Sequence, residues 1–100
     1  MILFEWDELK AEQNIRKHGI SFETAKLAFL DPFALVEQDR IENGEPRWRT
    51  IGLVDALIVL FIAHTVNEQD RHEIIRIISA RRATRKERIR YEQNRKKHDG

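Results

Sequence analysis

The sequence predicts a single α+β domain over residues 1–100, in which helices cover one face of an antiparallel sheet. Helix signals come first, β-prone segments follow around an Asn-Gly turn, and a long basic segment without Pro or Gly comes last. The predicted order is β-α-α-β-β-β-α: a strand, two N-terminal helices, a three-stranded meander and a basic C-terminal helix. Few elements remain to cover the second face of the sheet, and a small domain often uses such a face for binding.

The first third of the chain carries one strand signal and two helix signals. Residues 2–6 are β-prone, and an aspartate then offers an N-cap for a helix over Glu8–His18. Gly19 is a natural terminator of that helix. Ser21 begins a second helix, which an Asp-Pro pair at 31–32 ends.

The rest of the chain alternates β-prone segments with turns until the basic segment begins. Asn43-Gly44 is a strong hairpin signal, and the polar residues Val66–Arg71 predict a loop. Ala80–His98 predicts a long helix because it is rich in Arg, Lys and Glu. The β-prone segments are Phe33–Asp39, Arg47–Leu53, Leu57–Thr65 and His72–Ser79.

The net charge of +1 conceals a strong asymmetry along the chain. Residues 1–75 carry a net charge of −6, whereas residues 76–100 carry +7. The C-terminal quarter is therefore a basic element that suits nucleic acid or an acidic partner protein. A solvated helix or a frayed tail accounts for the charge alone equally well.

Several classes of protein are disfavoured by composition. The chain has no cysteine, which removes disulfides, thiolate zinc sites and thiol nucleophiles. The histidines show no metal-binding spacing, so we expect no metal and no cofactor. The longest apolar run is strand-length, and we see no secretory signal. We therefore expect a cytoplasmic protein without membrane contact.

Charged residues in the predicted strands are the first candidates for a site. Glu45, Arg47 and Arg49 share one strand face, as a cross-strand ion-pair set or as a base beside phosphate-binding guanidinium groups. Arg76 interrupts an apolar strand, so it pairs with an acidic residue or faces an anion site. His64 ends the central strand, as a satisfied hydrogen-bonding residue or as an acid–base catalyst.

The predicted C-terminal helix carries a second group of candidates. Arg81, Arg85 and Arg88 lie along one stripe of this helix, and Tyr91 lies on an adjacent one. The helix has few apolar anchors, so packing against its own domain stabilises it weakly. A partner protein or a polynucleotide explains such a composition.

Short segments spread over most of the chain resemble the BrnT toxins of BrnT/BrnA toxin–antitoxin modules. The closing run from Ile75 to Ala83 is the most specific of them. In order, the segments are Phe4-Glu5-Trp6-Asp7, Arg16-Lys17-His18-Gly19, Ser21-Phe22-Glu23, Asp31-Pro32, Gly44-Glu45 with Arg47, Ile51-Gly52, His64-Thr65, Ile75-Arg76-Ile77-Ile78-Ser79-Ala80-Arg81-Arg82-Ala83, Glu87-Arg88 and Tyr91-Glu92.

The resemblance implies a RelE-like fold and a ribonuclease toxin that blocks translation. It also implies a BrnA-like antitoxin that neutralises the toxin and carries a DNA-binding domain. In that family the complex represses its own promoter. A free toxin of this size is expected to be a monomer.

The chemistry of RNA cleavage without a metal ion suggests roles for the candidates. The 2′-hydroxyl needs a base, the phosphate needs positive charge, and the 5′-oxygen needs an acid. Glu45 is the first choice as base and His64 the second. The remaining roles are phosphate charge for Arg47, Arg76 and Arg81, base stacking or proton transfer for Tyr91, and RNA or antitoxin binding for Arg49, Arg82, Arg85 and Arg88. The alternative is a non-catalytic basic module that docks a partner protein or nucleic acid.

Overall fold

In the computed structural model, residues 1–99 form a five-stranded sheet with helices on both faces. The strands lie in the order β1-β5-β4-β3-β2. No helix among these residues is long and apolar enough to cross a membrane. The elements are β1 (Ile2–Glu5), α1 (Glu8–His18), α2 (Phe22–Ala25), a 3₁₀ helix (Lys26–Leu30), β2 (Leu35–Glu42), β3 (Glu45–Val54), β4 (Ile58–Gln69), β5 (His72–Arg82) and α3 (Arg85–Asp99).

The α+β class is confirmed, but the predicted order of elements is wrong by one strand. Four strands follow the N-terminal helices, one for each of the four β-prone segments, whereas the predicted order contains three. They form an antiparallel meander, and β1 adds to β5 in parallel, so the sheet is mixed. The β1–β5 pairing joins segments about 70 residues apart, as in the pair Phe4–Ile75. No local pattern in the sequence reports such a contact.

The boundaries of β4, β5 and α3 also differ from the prediction. Most of the predicted loop Val66–Arg71 is strand. The prediction was wrong because this end of the β4–β5 hairpin extends into solvent, so its side chains are polar like those of a loop. The turn itself is formed by Asp70 and Arg71, both at positive φ. The predicted helix starts too early: residues 80–82 belong to β5.

A reciprocal capping box explains where α3 begins. The Thr84 hydroxyl accepts from the Glu87 N–H at 3.2 Å, and the Glu87 carboxylate accepts from the Thr84 N–H at 2.8 Å. The Thr-x-x-Glu spacing is the signal for this cap, and the sequence prediction missed it. With the cap at Thr84, the arginines at 81 and 82 lie on a strand and not on the helix.

The N-terminal helices pack on one face of the sheet and enclose the core. Gly52 in β3 permits the 3₁₀ helix to approach closely, because a Cβ there would lie 2.6 Å from the Ala28 carbonyl oxygen. Asn14 in α1 is buried, and its amide exchanges hydrogen bonds with the backbone of Ala80 in β5. Buried apolar residues on this side include Phe22, Ala25, Ala28, Leu60, Ile62, Ile75 and Ile77.

The second face of the sheet is contacted by α3. Tyr91 is fully buried, and its hydroxyl donates to the Asp31 carboxylate. Asn94 donates to the Phe33 carbonyl at 3.0 Å. These contacts hold α3 against the β3 side of the sheet. We call this second face the open face; Arg47, Arg49, Arg76 and Arg81 lie on it.

Candidate anion-binding site on the open face

The strand register brings basic residues of β3 and β5 to the same face. Arg49 pairs with Ala63, which pairs with Ser79. Directly paired residues of antiparallel strands point to the same face. Alternation along β3 therefore places Arg47 on the open face with Arg49, as the sequence predicts.

A β-bulge in β5 brings Arg76 and Arg81 to the same face. These residues are five apart, so a regular strand would direct them to opposite faces. The pairing shifts between Ala63–Ser79 and His64–Ile77, which leaves Ile78 without a direct partner in β4. Past this bulge Arg76 pairs with Thr65, and the side-chain alternation is reset. Two strands, β3 and β5, thus supply one cluster of guanidinium groups on either side of β4.

Arg76 pairs with the acidic residue Glu45, which is the first of the two alternatives that the sequence left open for this arginine. Its Nη2 donates to the Glu45 carboxylate at 2.7 Å, across the intervening strand β4. Both side chains remain about two-fifths exposed, at 41% and 43%. An ion pair this exposed contributes little to stability and exchanges readily with another charged partner.

Arg81 is held between an aromatic ring and a carboxylate. Its guanidinium lies 4.1 Å from the centre of the Phe61 ring. Two of its nitrogens donate to the two oxygens of Glu87, at 2.8 and 3.0 Å. This hydrogen bond lowers the pKa of the Glu87 carboxyl. The carboxylate therefore occupies the fork that a phosphate would use.

Glu37 of β2 joins the sheet to α3 at the side of the cluster. Its carboxylate accepts from Arg49 at 3.2 Å and from Arg90 of α3. The hydrogen bond from Arg90 is the main factor that lowers the pKa of Glu37. Sequence reasoning missed Glu37 and Phe61, because each contacts an arginine of another element, and it missed Glu87 because Arg81 was assigned to the helix instead of β5.

Arg47 differs from its neighbours in its lack of close partners. Its Nε is buried, and no acceptor among residues 1–99 lies within hydrogen-bonding distance of it. Glu42 lies 3.7 Å from Nε and Glu45 lies 3.9 Å from Nη2. A buried N–H donor without an acceptor is unfavourable, and an anion bound beside it supplies the acceptor.

The floor between these arginines is made of small side chains. Ala63 and Ser79 pair directly, between the neighbouring pairs that contain Arg76 and Arg81. Both are partly exposed and are separated from each arginine along β5 by only a few residues. Small side chains between clustered guanidinium groups make this face a candidate anion-binding site.

His64 lies on the other face of the sheet, away from this cluster. It is inside β4 and not at its end, which corrects the prediction. Only 1% of it is exposed. The Thr50 hydroxyl donates to its Nε2 at 2.8 Å, and its Nδ1–H donates to the Thr65 carbonyl at 3.2 Å. Burial lowers the pKa of His64 to about 4, so its imidazole is neutral near pH 7.

Burial of His64 predicts a loss of stability in mild acid. Between pH 6.5 and 4 an imidazole in the unfolded chain binds a proton, whereas the folded one does not. The stabilisation is complete above pH 6.5, and about 2.5 kcal/mol of it is lost on lowering the pH to 4.5. We expect urea unfolding at pH 7.5 and 4.5 to show this loss in the wild type.

A His64→Gln variant isolates the contribution of this imidazole from that of the carboxylates. The difference in unfolding free energy between the two pH values should shrink by about 2.5 kcal/mol in this variant. His18→Gln, at the end of α1, is the matched control and should keep the wild-type difference. An unchanged difference in His64→Gln would show that His64 does not resist protonation.

Tyr91 and three arginines also lie away from the cluster. Tyr91 is 0% exposed, so it cannot stack on an RNA base in this conformation. The hydrogen bond to Asp31 and, above all, burial raise its pKa. Arg82 follows Arg81 and points to the opposite face of the sheet. Arg85 and Arg88 lie on the outer side of α3 and not on one stripe with Arg81.

Comparison with known proteins identifies the family and a solved structure with a similar fold. The family described as "Ribonuclease toxin, BrnT, of type II toxin-antitoxin system" matches residues 6–87. The crystal structure of the Brucella abortus ribonuclease toxin BrnT, at 1.1 Å resolution, is similar, with a TM-score of 0.64 and 26% identity. The similarity covers 85% of this chain and 99% of that one. No curated protein matches the chain significantly.

The fold and the family match thus define a toxin domain. The chain belongs to the BrnT family of ribonuclease toxins from type II toxin–antitoxin systems. Membership gives the class of activity, an RNA target and an antitoxin partner at the level of the family. Among residues 1–99, no three His, Asp or Glu side chains are grouped as metal ligands.

Proposed function

We propose that this chain is an endoribonuclease toxin that cleaves RNA without a metal ion and thereby inhibits translation. The observation that carries the proposal is the open-face cluster of Glu45, Arg47 and Arg76. It combines a half-exposed carboxylate with a guanidinium whose buried Nε has no acceptor among residues 1–99. The RelE-like topology expected from the resemblance is part of the same proposal.

The proposed reaction is attack of the 2′-hydroxyl on the adjacent phosphorus. Glu45 takes the proton of the 2′-hydroxyl as the O2′–P bond forms. The bond from phosphorus to the 5′-oxygen breaks, giving a 2′,3′-cyclic phosphate and a 5′-hydroxyl end. We assign the proton for the leaving oxygen to solvent, because His64 and Tyr91 are buried.

The arginines stabilise the charge that accumulates on the phosphate. Arg47 binds a non-bridging oxygen through its buried Nε, which has no hydrogen-bond acceptor to give up. Arg76 exchanges Glu45 for the phosphate, which also frees Glu45 to act as the base. Arg81 exchanges Glu87 in the same way, and Arg49 binds the RNA backbone beside them.

Replacement of Arg47 tests the anion site by itself. Arg47→Ala should lower kcat/KM for RNA cleavage by about 10- to 100-fold, because one charge-assisted hydrogen bond in the transition state is lost. Arg47→Lys should recover part of the activity. Arg16→Ala, on α1, controls for the loss of one positive charge. Wild-type activity in Arg47→Ala would remove Arg47 from the site.

The function itself is tested with a labelled structured RNA in EDTA. The purified chain is incubated with and without the polypeptide encoded by the neighbouring gene, which is the proposed BrnA-like antitoxin. We expect cleavage in EDTA, 2′,3′-cyclic phosphate ends, and inhibition by the neighbour. Repression of the promoter by the complex belongs to the same proposal. Cleavage that stops in EDTA would refute metal independence.

A non-catalytic binding module remains the second candidate because all four open-face arginines have a carboxylate within 4.0 Å, three of them at hydrogen-bonding distance. In that case these pairs are structural. The same assay would then show salt-dependent binding of RNA but no turnover. Multiple turnover of RNA by a clean preparation would exclude this candidate.

A further inference from the structure

Three adjoining cavities form a groove at one end of the molecule, away from the open-face cluster. A cavity of about 420 Å³ lies between the end of α1 and the β3–β4 turn. It shares Leu57, Ile58 and Arg82 with a second cavity of about 370 Å³. The second shares Arg88 and Glu92 with a third of about 490 Å³ on α3. We call this the end groove.

The end groove exposes more aliphatic surface than a solvated face requires. Leu57 at the hairpin tip is 82% exposed, and Ile89 on α3 is 45% exposed. Ile15 at the other end is 49% exposed. Large aliphatic side chains that are exposed along one continuous groove indicate a surface that a partner covers.

The rim of the end groove is basic, and three of its arginines lack hydrogen-bond and ion-pair partners within the part of the chain that the structure describes. The side chains of Arg82, Arg85 and Arg88 make no hydrogen bond or ion pair with any of residues 1–99. Arg49, Arg76 and Arg81 on the open face are, by contrast, all paired with carboxylates. The end groove therefore offers unused positive charge beside an apolar floor.

We propose that the end groove is the docking site for an acidic amphipathic segment of the antitoxin. The inference rests on the proposed function, and it names the surface by which the toxin is recognised. Apolar side chains of the segment lie on Leu57, Ile58 and Ile89, and its carboxylates pair with Arg82 and Arg88. Charge complementarity sets the orientation, and burial of the aliphatic floor supplies affinity.

The lining of the end groove favours a protein over RNA. RNA-binding surfaces stack unpaired bases on aromatic side chains, and the described residues that line the groove include one imidazole, His18, but no Phe, Tyr or Trp. A sugar–phosphate backbone also offers little apolar surface to cover Leu57 or Ile89. Antitoxin docking and RNA cleavage are therefore carried by different surfaces and are separable by mutation.

The test is a Leu57→Glu/Ile89→Glu double variant, since both side chains are exposed and the fold tolerates the change. The probe is the polypeptide encoded by the neighbouring gene. We expect its affinity to fall by at least about 30-fold. RNA cleavage should stay at the wild-type rate and should escape inhibition by this polypeptide. Leu30→Glu, on the 3₁₀ helix and 75% exposed, is the matched control.

Each other result refutes a specific part of the proposal. Wild-type affinity in the double variant would refute the end groove, while RNA cleavage and its inhibition would still support the proposed function. Slower RNA cleavage with unchanged affinity would make the groove an RNA surface instead. Failure of the polypeptide to bind the wild type would refute this partner, and cleavage by the same preparation would then test the enzyme separately.

Discussion

Glu45→Gln is expected to lower kcat for RNA cleavage by about 10²- to 10⁴-fold, the usual contribution of a positioned general base. The variant retains the shape of the side chain and an amide oxygen that accepts from Arg76, so the ion-pair geometry is nearly preserved. It loses the group that takes the 2′-hydroxyl proton. The measurement is the initial rate of cleavage of a labelled RNA over a range of RNA concentrations, which gives kcat and KM separately.

The separation of kcat from KM decides whether Glu45 is a base or a structural partner. A base acts in the transition state, so kcat should fall while KM stays near the wild-type value. A structural role predicts a lower thermal midpoint and a changed KM instead. Glu68→Gln, an exposed carboxylate in β4, is the control and should be unaffected. Full activity of Glu45→Gln would assign the base to another group.

Local patterns in the sequence predicted the elements that depend on neighbouring residues. The helix Glu8–His18 has the predicted bounds, because an aspartate N-cap and Gly19 at φ 70° delimit it. The hairpin at Asn43-Gly44 is also where it was predicted, with both residues at positive φ. Each signal requires only a few adjacent residues, so it can be recognised in the sequence without knowledge of the rest of the fold.

The site was only partly predictable because its geometry depends on one irregularity in the sheet. The sequence places Arg47 and Arg49 together, since both belong to one regular strand. It cannot place Arg76 and Arg81 together, because the bulge at Ile78 reverses the alternation between them. Bulges depend on pairing between strands, and a single strand sequence does not report them.

Burial explains why the two remaining catalytic candidates lie away from the cluster. His64 and Tyr91 are polar residues in plausible positions along the chain. Yet one lies beneath the N-terminal helices and the other beneath α3. Each satisfies its polar atoms internally, through Thr50 and Thr65 or through Asp31. Whether a polar side chain faces solvent or a buried partner is set by tertiary packing.

Tyr91→Ala is expected to lower the free energy of unfolding by about 3–5 kcal/mol, as for other fully buried aromatic residues. The ring is the main buried anchor of α3, and its loss leaves a cavity that the polar neighbours cannot fill. Tyr91→Phe should lose only about 1–3 kcal/mol, because one hydrogen bond to a partly buried carboxylate is removed. Urea denaturation measures both values, and Ile89→Ala is the control on the exposed side of α3.

Tyr91→Ala also tests whether α3 positions the arginines of the open face. Asp31 accepts from Tyr91 and also from the backbone N–H groups of Phe33 and Leu53, at 2.9 and 2.8 Å. It therefore connects α3 to the segment before β2 and to the end of β3.

When α3 detaches, Glu87 leaves Arg81 and Arg90 leaves Glu37. Arg81 then has no carboxylate to release before it binds phosphate, but its guanidinium is no longer oriented by Glu87. Because precise orientation contributes more to catalysis than a free guanidinium does, Tyr91→Ala should cleave RNA more slowly than Tyr91→Phe at temperatures where both are folded. Equal rates would show that α3 stabilises the domain without positioning Arg81.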